Sequence, residues 1–565
     1  ASQWFLDEVS RGSLFVGHSL SYDTAVLIAN FPELTEAVFH CYETNRFLCT
    51  LTWEKLADLA DGCFRFKTLP NGKRTKKGYS LAEVYHQYTR GHMNKGEDTW
   101  RLRYGELIGT PIDCWPEDAR SYALDDAKAT RAVYMAQQRR KPILRDVYRQ
   151  TRHDFWLRLC SNHGFMTSPE GVSKLKDQTV ELLTQLRVRL TEAKLIKPNG
   201  VKDTKRAKAL MAEVCEEEGI ALKLTDKGGI SLDAEACSDS GNELLKAYAS
   251  LTSLATVLNK DVKFLSDGVD APVHTRFNIV ATGRTSSSKP NIQNIRTLPG
   301  IRECFIPRPG WVFAQADYDG LELRTLAQGC KKIVGYSNLG TALNEGKDAH
   351  LMFGAFMMGI SYEEAVARKE EKDVKRFRKL AKPFNFGKAG GLGNKNFQAY
   401  AKAPPYNVLL TIEEIRTYSN MWYELWTEIE EYHAYISKLC RNPKKLATIE
   451  QLFSRRIRAD IPYCTAANTY FQGLGADATK HAGWLITKAC HSEPANANPL
   501  YGCRMVNYVH DEFIVEVPEG PKAEPAANEL ARLMIEGARP FLPDYPATTS
   551  PLLMRYWRKN AERIV

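Results

Sequence analysis

The segment WVFAQADYDGLEL, residues 311–323, runs as an apolar strand until Asp317, then turns through Asp319 and Gly320. A second segment, VNYVHDEFIVEVP at 506–518, repeats the device: two β-rich runs flank Asp511 and Glu512 in what reads as a hairpin turn. In both, an acid stands where alternation calls for an apolar residue. Burying an acid is costly unless a cation or hydrogen-bond donors compensate. Taken singly, each aspartate reads as a turn stabiliser. Brought together, they form a natural site for Mg2+, which takes one or two carboxylates and completes its shell with phosphate oxygens and water.

A third segment adds the opposite charge. In EKDVKRFRKLAKPFNFGKAGGLG at 371–393, Arg378, Lys382 and Phe386 are spaced i, i+4, i+8, so the pattern predicts two cations and a ring on one helical face. Such a stripe can neutralise a triphosphate and stack on a base, although an ordinary basic surface helix has the same composition. Pro383 removes a helix hydrogen bond and predicts a kink. The glycines that follow lack the order of a phosphate-binding loop and read as a flexible helix end.

The whole chain is compatible with a polyanionic partner. Its 565 residues carry 77 Lys plus Arg against 67 Asp plus Glu, a net charge of +10. A soluble protein with a mildly basic surface fits the same numbers. Thirteen cysteines, none spaced C-x-x-C, argue against a disulfide framework and a zinc ribbon. They suit a reducing interior such as the cytoplasm, or a host cell's cytoplasm for a viral protein. No apolar run approaches the ~18 residues of a membrane span, and the first twenty residues lack the layout of a secretion signal.

Residues 1–140 mix β-rich and helical runs, predicting a small α/β domain; FVGHSLSYDTAVL at 15–27 reads as a buried strand entering a helix, with Asp23 at the turn. The basic stretch 69–80 reads as a solvated loop or a nucleic-acid contact. From about 166 to 265 the pattern is helical, with a lysine-rich turn near KPNGVKDTKRAK that suits either a duplex grip or a plain solvent-facing hairpin. Strands return beyond 270, a second helical block covers roughly 330–450, and an α/β segment closes the chain.

In order, TGRTSSSKPNIQNI (282–295), DYDGLELRTLAQ (317–328), R-x3-K-x3-F-G (378–387), YFQGLGAD (470–477) and YVHDE (508–512) resemble the motifs of family-A DNA polymerases. LTDKGGISLDAEAC resembles that family's thumb and GKDAH at 346–350 the start of its fingers, while GHSLSYD and YALDD resemble its 3′–5′ proofreading domain. The resemblance implies a mixed α/β, right-hand fold: a partial exonuclease-like, ribonuclease-H-like domain lacking its first strands (1–140), a connection (141–165), a helical thumb (166–268), palm (269–328), fingers (329–450) and palm again (451–565).

It also implies template-directed addition of dNTPs to a primer 3′ end with two Mg2+ ions, which Mn2+ can replace. Asp317 and Asp511 would hold the ions, the Tyr318 carbonyl would complete the shell, and Glu512 would assist. Arg378, Lys382 and His350 would meet the triphosphate; Glu322 would bar a ribose 2′-hydroxyl, and Phe386 would disfavour dideoxynucleotides. Arg284, Asn294, Asn468, Gln472 and His510 would touch primer and template along the minor groove, where acceptors are alike for every correct pair. The partners implied are primer-template DNA and dNTPs, for a monomer with no membrane contact and with any processivity factor undetermined.

Two departures stand out. Gly390 occupies the position of a family tyrosine that contacts the gate glutamate. Of the four acids and one tyrosine of a proofreading site, Asp23, Tyr122 and Asp126 match, while the D-x-E pair is absent from residues 1–22. The exonuclease site is therefore expected to be incomplete. The alternatives are a polymerase-like DNA-binding scaffold, a single-subunit RNA polymerase, and a mainly nucleolytic protein.

Overall fold

The computed structural model describes residues 2–68, 71, 73–96, 99–139, 146–225, 228–296, 300–441, 445–494 and 496–558. Leu69, Pro70 and Gly72 of the basic stretch, residues 141–145 of the expected connection, and Asp226 and Lys227 lie outside them. The chain divides into two compact units: the first holds residues up to Asn162, Arg276–Ser288 and Ala314–Leu552, and the second holds His163–Thr275, Lys289–Phe313 and the chain from Leu553.

The first unit is organised on a four-stranded sheet in the order Arg504–Val509, Glu512–Pro518, Trp311–Tyr318, Thr549–Met554. The first two strands are the antiparallel hairpin expected from sequence. Val509 faces Glu512, so His510 and Asp511 form a two-residue turn, and His510 adopts a left-handed φ of 58°. Helices Tyr463–His491 and Ala523–Ala538 pack on the hairpin and on each other. The longer one is rich in alanine and glycine, and this lets neighbours approach closely on most of its faces. At Gly537 an added Cβ would stand 2.4 Å from the Ala482 Cα.

The block 330–450 is helical as expected up to its end, where Ala447–Glu450 is a strand; its helices include Asn338–Asn344, Ala349–Met358, Tyr362–Ala367, Lys372–Pro383, Asn394–Lys402, Ile412–Leu425 and Thr427–Leu439. Thr411 and Glu414 form a reciprocal capping box at the start of Ile412–Leu425. Phe353, Phe384, Phe397, Trp422 and Trp426 fill the core these helices share.

The N-terminal part places Phe15–Gly17 parallel to Phe47–Cys49, surrounded by helices that include Leu20–Asn30, Thr50–Ala60 and Glu117–Gln137. Two sequence expectations change here. Phe15–Gly17 is half-buried rather than buried, and Asp23 lies in the first turn of Leu20–Asn30 rather than in the turn before it. The basic stretch is also more than a solvated loop: Arg74–Lys76 pairs with Phe66–Thr68, and Lys77 donates to Glu54 at 3.0 Å and Asp58 at 2.7 Å.

The second unit carries the helices Pro169–Glu192, Thr204–Glu217, Ala234–Asp239, Glu243–Thr256 and Lys263–Asp270. Ser168 caps the first, and Pro169 follows at the position where a missing N–H costs nothing. Leu183, Leu190, Leu195, Tyr248 and Leu251 form one of its cores. Of the lysine-rich turn, Lys202 is used internally: it donates to the Tyr248 carbonyl at 2.7 Å and lies 3.7 Å over that ring's centroid. Among the described residues of the chain, no helix is long and apolar enough to cross a membrane.

Candidate active site

The two aspartates come together because their strands are neighbours in the sheet. The Gln315 amide donates to the Glu512 carboxylate at 2.7 Å, linking the strand that carries Asp317 to the strand that follows Asp511. Asp317 is exposed, so the expectation of two buried acids holds only in part. The Thr549 hydroxyl donates to its carbonyl at 2.6 Å. Asp511 takes the desolvation: burial first, then the Asp317 charge, pushes its carboxyl up to about 7, against the pull of Arg284. The Tyr318 phenol is buried and donates to the Met534 carbonyl at 2.6 Å.

Beside the aspartates is a cavity of about 190 Å3 lined by Arg284, Glu322, Phe471, His510 and Asp511. Arg284 ion-pairs with Glu322 at 3.0 Å. Partial desolvation and the Arg284 charge hold the His510 ring below its ordinary pKa. Arg284 is aimed by the hairpin Arg276–Ile279/Thr285–Ser288, whose turn contains Gly283 at φ 91°. A Cβ there would come 2.2 Å from the Arg456 guanidinium. Arg456 is buried between Asp146 at 2.9 Å and Asp477 at 2.6 Å and donates to the Thr282 carbonyl at 3.2 Å, so this buried ion triad supports the turn that presents Arg284.

The cationic helix departs from the expected single stripe. The α-helix ends at Pro383, which lacks the N–H to continue it, and the backbone widens into a π-helical turn over Phe384–Lys388. Phe386 therefore leaves the regular helix, and its ring packs 5.3 Å from His350, centroid to centroid. Arg378 ion-pairs with Asp348 at 2.7 Å, and Asp348 caps the helix that carries His350. Burial and the charges of Arg378 and Lys382 outweigh Asp348 and lower the His350 pKa to about 4, so its imidazole is neutral near pH 7. Asn385 bridges to it at 2.9 Å.

Asn468 and Gln472 share a face of the long helix and touch at 3.3 Å. Asn294 belongs to the second unit, where it is exposed and donates to Asn291 at 3.2 Å. It is therefore not among the residues that the first unit gathers.

Asp23 and Asp126 line a separate cavity of about 500 Å3 with Val16, His18, Arg131 and Tyr134. Desolvation, then the Asp126 charge, pushes the Asp23 carboxyl up to about 6. The sequence reading missed Lys95: its ammonium ion-pairs with Asp126, donates to the Tyr122 hydroxyl at 2.7 Å and lies 4.5 Å from that ring's centroid. Asp348 and Arg456 were also missed. Only Asp348 carried a local sign, as the helix-capping acid of GKDAH.

Among the described residues no cluster of three or more His, Cys, Asp or Glu side chains is arranged around a metal position. Asp317 and Asp511 are nonetheless hard oxygen donors whose mutual repulsion a divalent cation would relieve. A carboxylate pair completed by phosphate and water suits Mg2+.

Residues 173–542 match DNA polymerase family A. The chain is 28% identical to DNA polymerase I of Aquifex aeolicus over 358 residues, 62% of this chain and 58% of that protein. It is 31% identical to the thermostable DNA polymerase I of Thermus aquaticus over 316 residues, 53% of this chain and 34% of that protein. The chain thus spans between about a third and three-fifths of the length of these relatives. In structure it resembles the POL domain of Pol1 from M. smegmatis, solved in complex with DNA primer-template and dNTP, with a TM-score of 0.66 at 20% identity over 90% of this chain and 82% of that one. The fold is the mixed α/β, right-hand fold of polymerases, and with most of its length matched the chain belongs to DNA polymerase family A.

Proposed function

We propose that this chain adds deoxynucleotides to a primer 3′ end under the direction of a DNA template. The observation that carries the reading is the approach of Asp317, on one strand, to Asp511, in the turn of the neighbouring hairpin, where the charge of one raises the carboxyl of the other. Asp317, Asp511 and the Tyr318 carbonyl would hold two Mg2+ ions. Bound there, the ions supply a more acidic 3′-hydroxyl and charge stabilisation at the transferring phosphoryl group.

The chain's own residues do the rest by position and charge. Arg378 and Lys382 receive the triphosphate, with Arg378 exchanging its Asp348 partner for phosphate, and neutral His350 offers a hydrogen bond without opposing either cation. Phe386 and Glu322 border the sugar, with Arg284 holding Glu322. Asn468, Gln472 and His510 contact primer and template, and Glu512, tied to Gln315, steadies the hairpin that bears Asp511. Regions 166–268 and 329–450 act as thumb and fingers.

We infer that the nuclease-like pocket is idle in this chain. Lys95 supplies at Tyr122 and Asp126 the positive charge that a metal ion would bring. A 5′-labelled primer annealed to a longer template tests both inferences. Extension only with the dNTP complementary to the next template base supports synthesis, and insertion of ribonucleotides at equal efficiency would favour an RNA polymerase. Primer shortening without dNTPs, abolished by Asp23→Asn, would refute the idle pocket.

A further inference from the structure

Asn385 belongs to the π-helical turn Phe384–Lys388 and is buried. Its amide joins the helices Ala349–Met358 and Ile412–Leu425 through three contacts. The indole of Trp422, also buried, donates to Oδ1 at 2.7 Å. Nδ2 lies 3.2 Å from the Ala349 carbonyl oxygen and 2.9 Å from Nδ1 of His350.

Chemistry fixes every donor and acceptor in this set. An indole N–H only donates, so the Asn385 atom facing Trp422 is the carbonyl oxygen, and the amide has one orientation. Its nitrogen carries two N–H groups and accepts nothing. One N–H meets the Ala349 carbonyl and the other meets His350 Nδ1, which must therefore be the bare nitrogen of the ring. A neutral imidazole carries a single N–H, and here it falls on Nε2. An Nδ1–H tautomer, or an imidazolium, would set one N–H against another. The Phe386 ring packs 5.3 Å from the imidazole, centroid to centroid, and among the described residues Nε2 has no hydrogen-bond partner.

We propose that Asn385, itself oriented by Trp422, is a positioning residue for His350: it locks the ring as the Nε2–H tautomer, so that the free nitrogen is a donor to the incoming triphosphate. This inference rests on the polymerase reading above and deepens the part His350 plays in it.

The test joins a spectrum to a rate. Long-range 1H–15N spectra of the full chain labelled with 15N-histidine report which ring nitrogen is protonated, and His350→Ala assigns the signal. The expected result near neutral pH is a bare Nδ1 and a protonated Nε2 in the wild type. Asn385→Asp still accepts from Trp422 but has no N–H for the ring, so Nδ1 should gain a proton. Steady-state insertion of a matched dNTP is then compared for the wild type, Asn385→Leu, His350→Ala and the double variant. Asn385→Leu should raise the KM for dNTP about fivefold, the worth of one net hydrogen bond. The rise should vanish in the His350→Ala background. A protonated Nδ1 in the wild type overturns the proposal even where a variant fails to fold. So does a bare Nδ1 in Asn385→Asp, an unchanged KM, or a rise that persists without His350. A wild type with the expected tautomer that inserts no nucleotide overturns the polymerase reading, and the role toward triphosphate with it.

Discussion

Replacing Asp511 by asparagine should stabilise the metal-free protein at mildly alkaline pH. The carboxyl is raised from 3.8 to about 7 by burial and by Asp317. At ~1.4 kcal/mol per pH unit, this corresponds to a ceiling of about 4 kcal/mol against the ionised fold. Solvent relaxation around a half-buried group reduces the usable part to roughly 2 kcal/mol. The folded state binds this proton more tightly than the unfolded chain does. The associated stability is therefore fully present below about pH 4 and is lost as the pH rises through 7. Asparagine has the same shape and no charge to lose. Urea unfolding of both proteins without divalent metal should show the variant more stable by roughly 2 kcal/mol at about pH 8, with the gap closing toward about pH 4.5. Mg2+ should narrow the gap at the higher pH by stabilising the wild type. A variant that is less stable at both pH values by the same amount would refute the repulsion between Asp317 and Asp511 on which the site is built.

Other outcomes follow from separate features. Arg456→Met should destabilise the fold by about 3–5 kcal/mol, because it leaves Asp146 and Asp477 buried without their cation; thermal unfolding reads this directly. Lys382→Ala should raise the KM for dNTP about tenfold, the loss of one charge-assisted contact, measured by primer extension across dNTP concentrations. Gly537→Ala should cost ~1–3 kcal/mol, since its Cβ would meet the Ala482 backbone at 2.4 Å. Primer-template affinity, followed by fluorescence anisotropy, should fall steeply and linearly with salt on logarithmic axes.

Local pattern carried far enough to give the sheet, the hairpin and the helical blocks. Asp317 and Asp511 were legible because each interrupts an apolar run that otherwise obeys strand alternation. Where local pattern failed, the deciding contact was either distant or backbone-driven. Pro383 was read as a kink, yet the chain resolves the missing hydrogen bond by widening the next turn, which redirects Phe386 toward His350. Lys95 reaches partners 27 and 31 residues away, and Arg456 reaches Asp146 across 310, distances at which spacing holds no information. Gly390 looked like a loss at the gate; the structure sets it against the side-chain amide of Asn468 on the long helix, a neighbour that local spacing could not reveal.

The most direct measurement is single-turnover insertion of one complementary dNTP by the wild type, Asp317→Asn and Asp511→Asn, at matched primer-template occupancy and saturating Mg2+. The account predicts that both variants still bind DNA but insert at least about a hundredfold more slowly, because each removes a ligand for the ions that stabilise the transferring phosphoryl group. Insertion at the wild-type rate by either variant would contradict it.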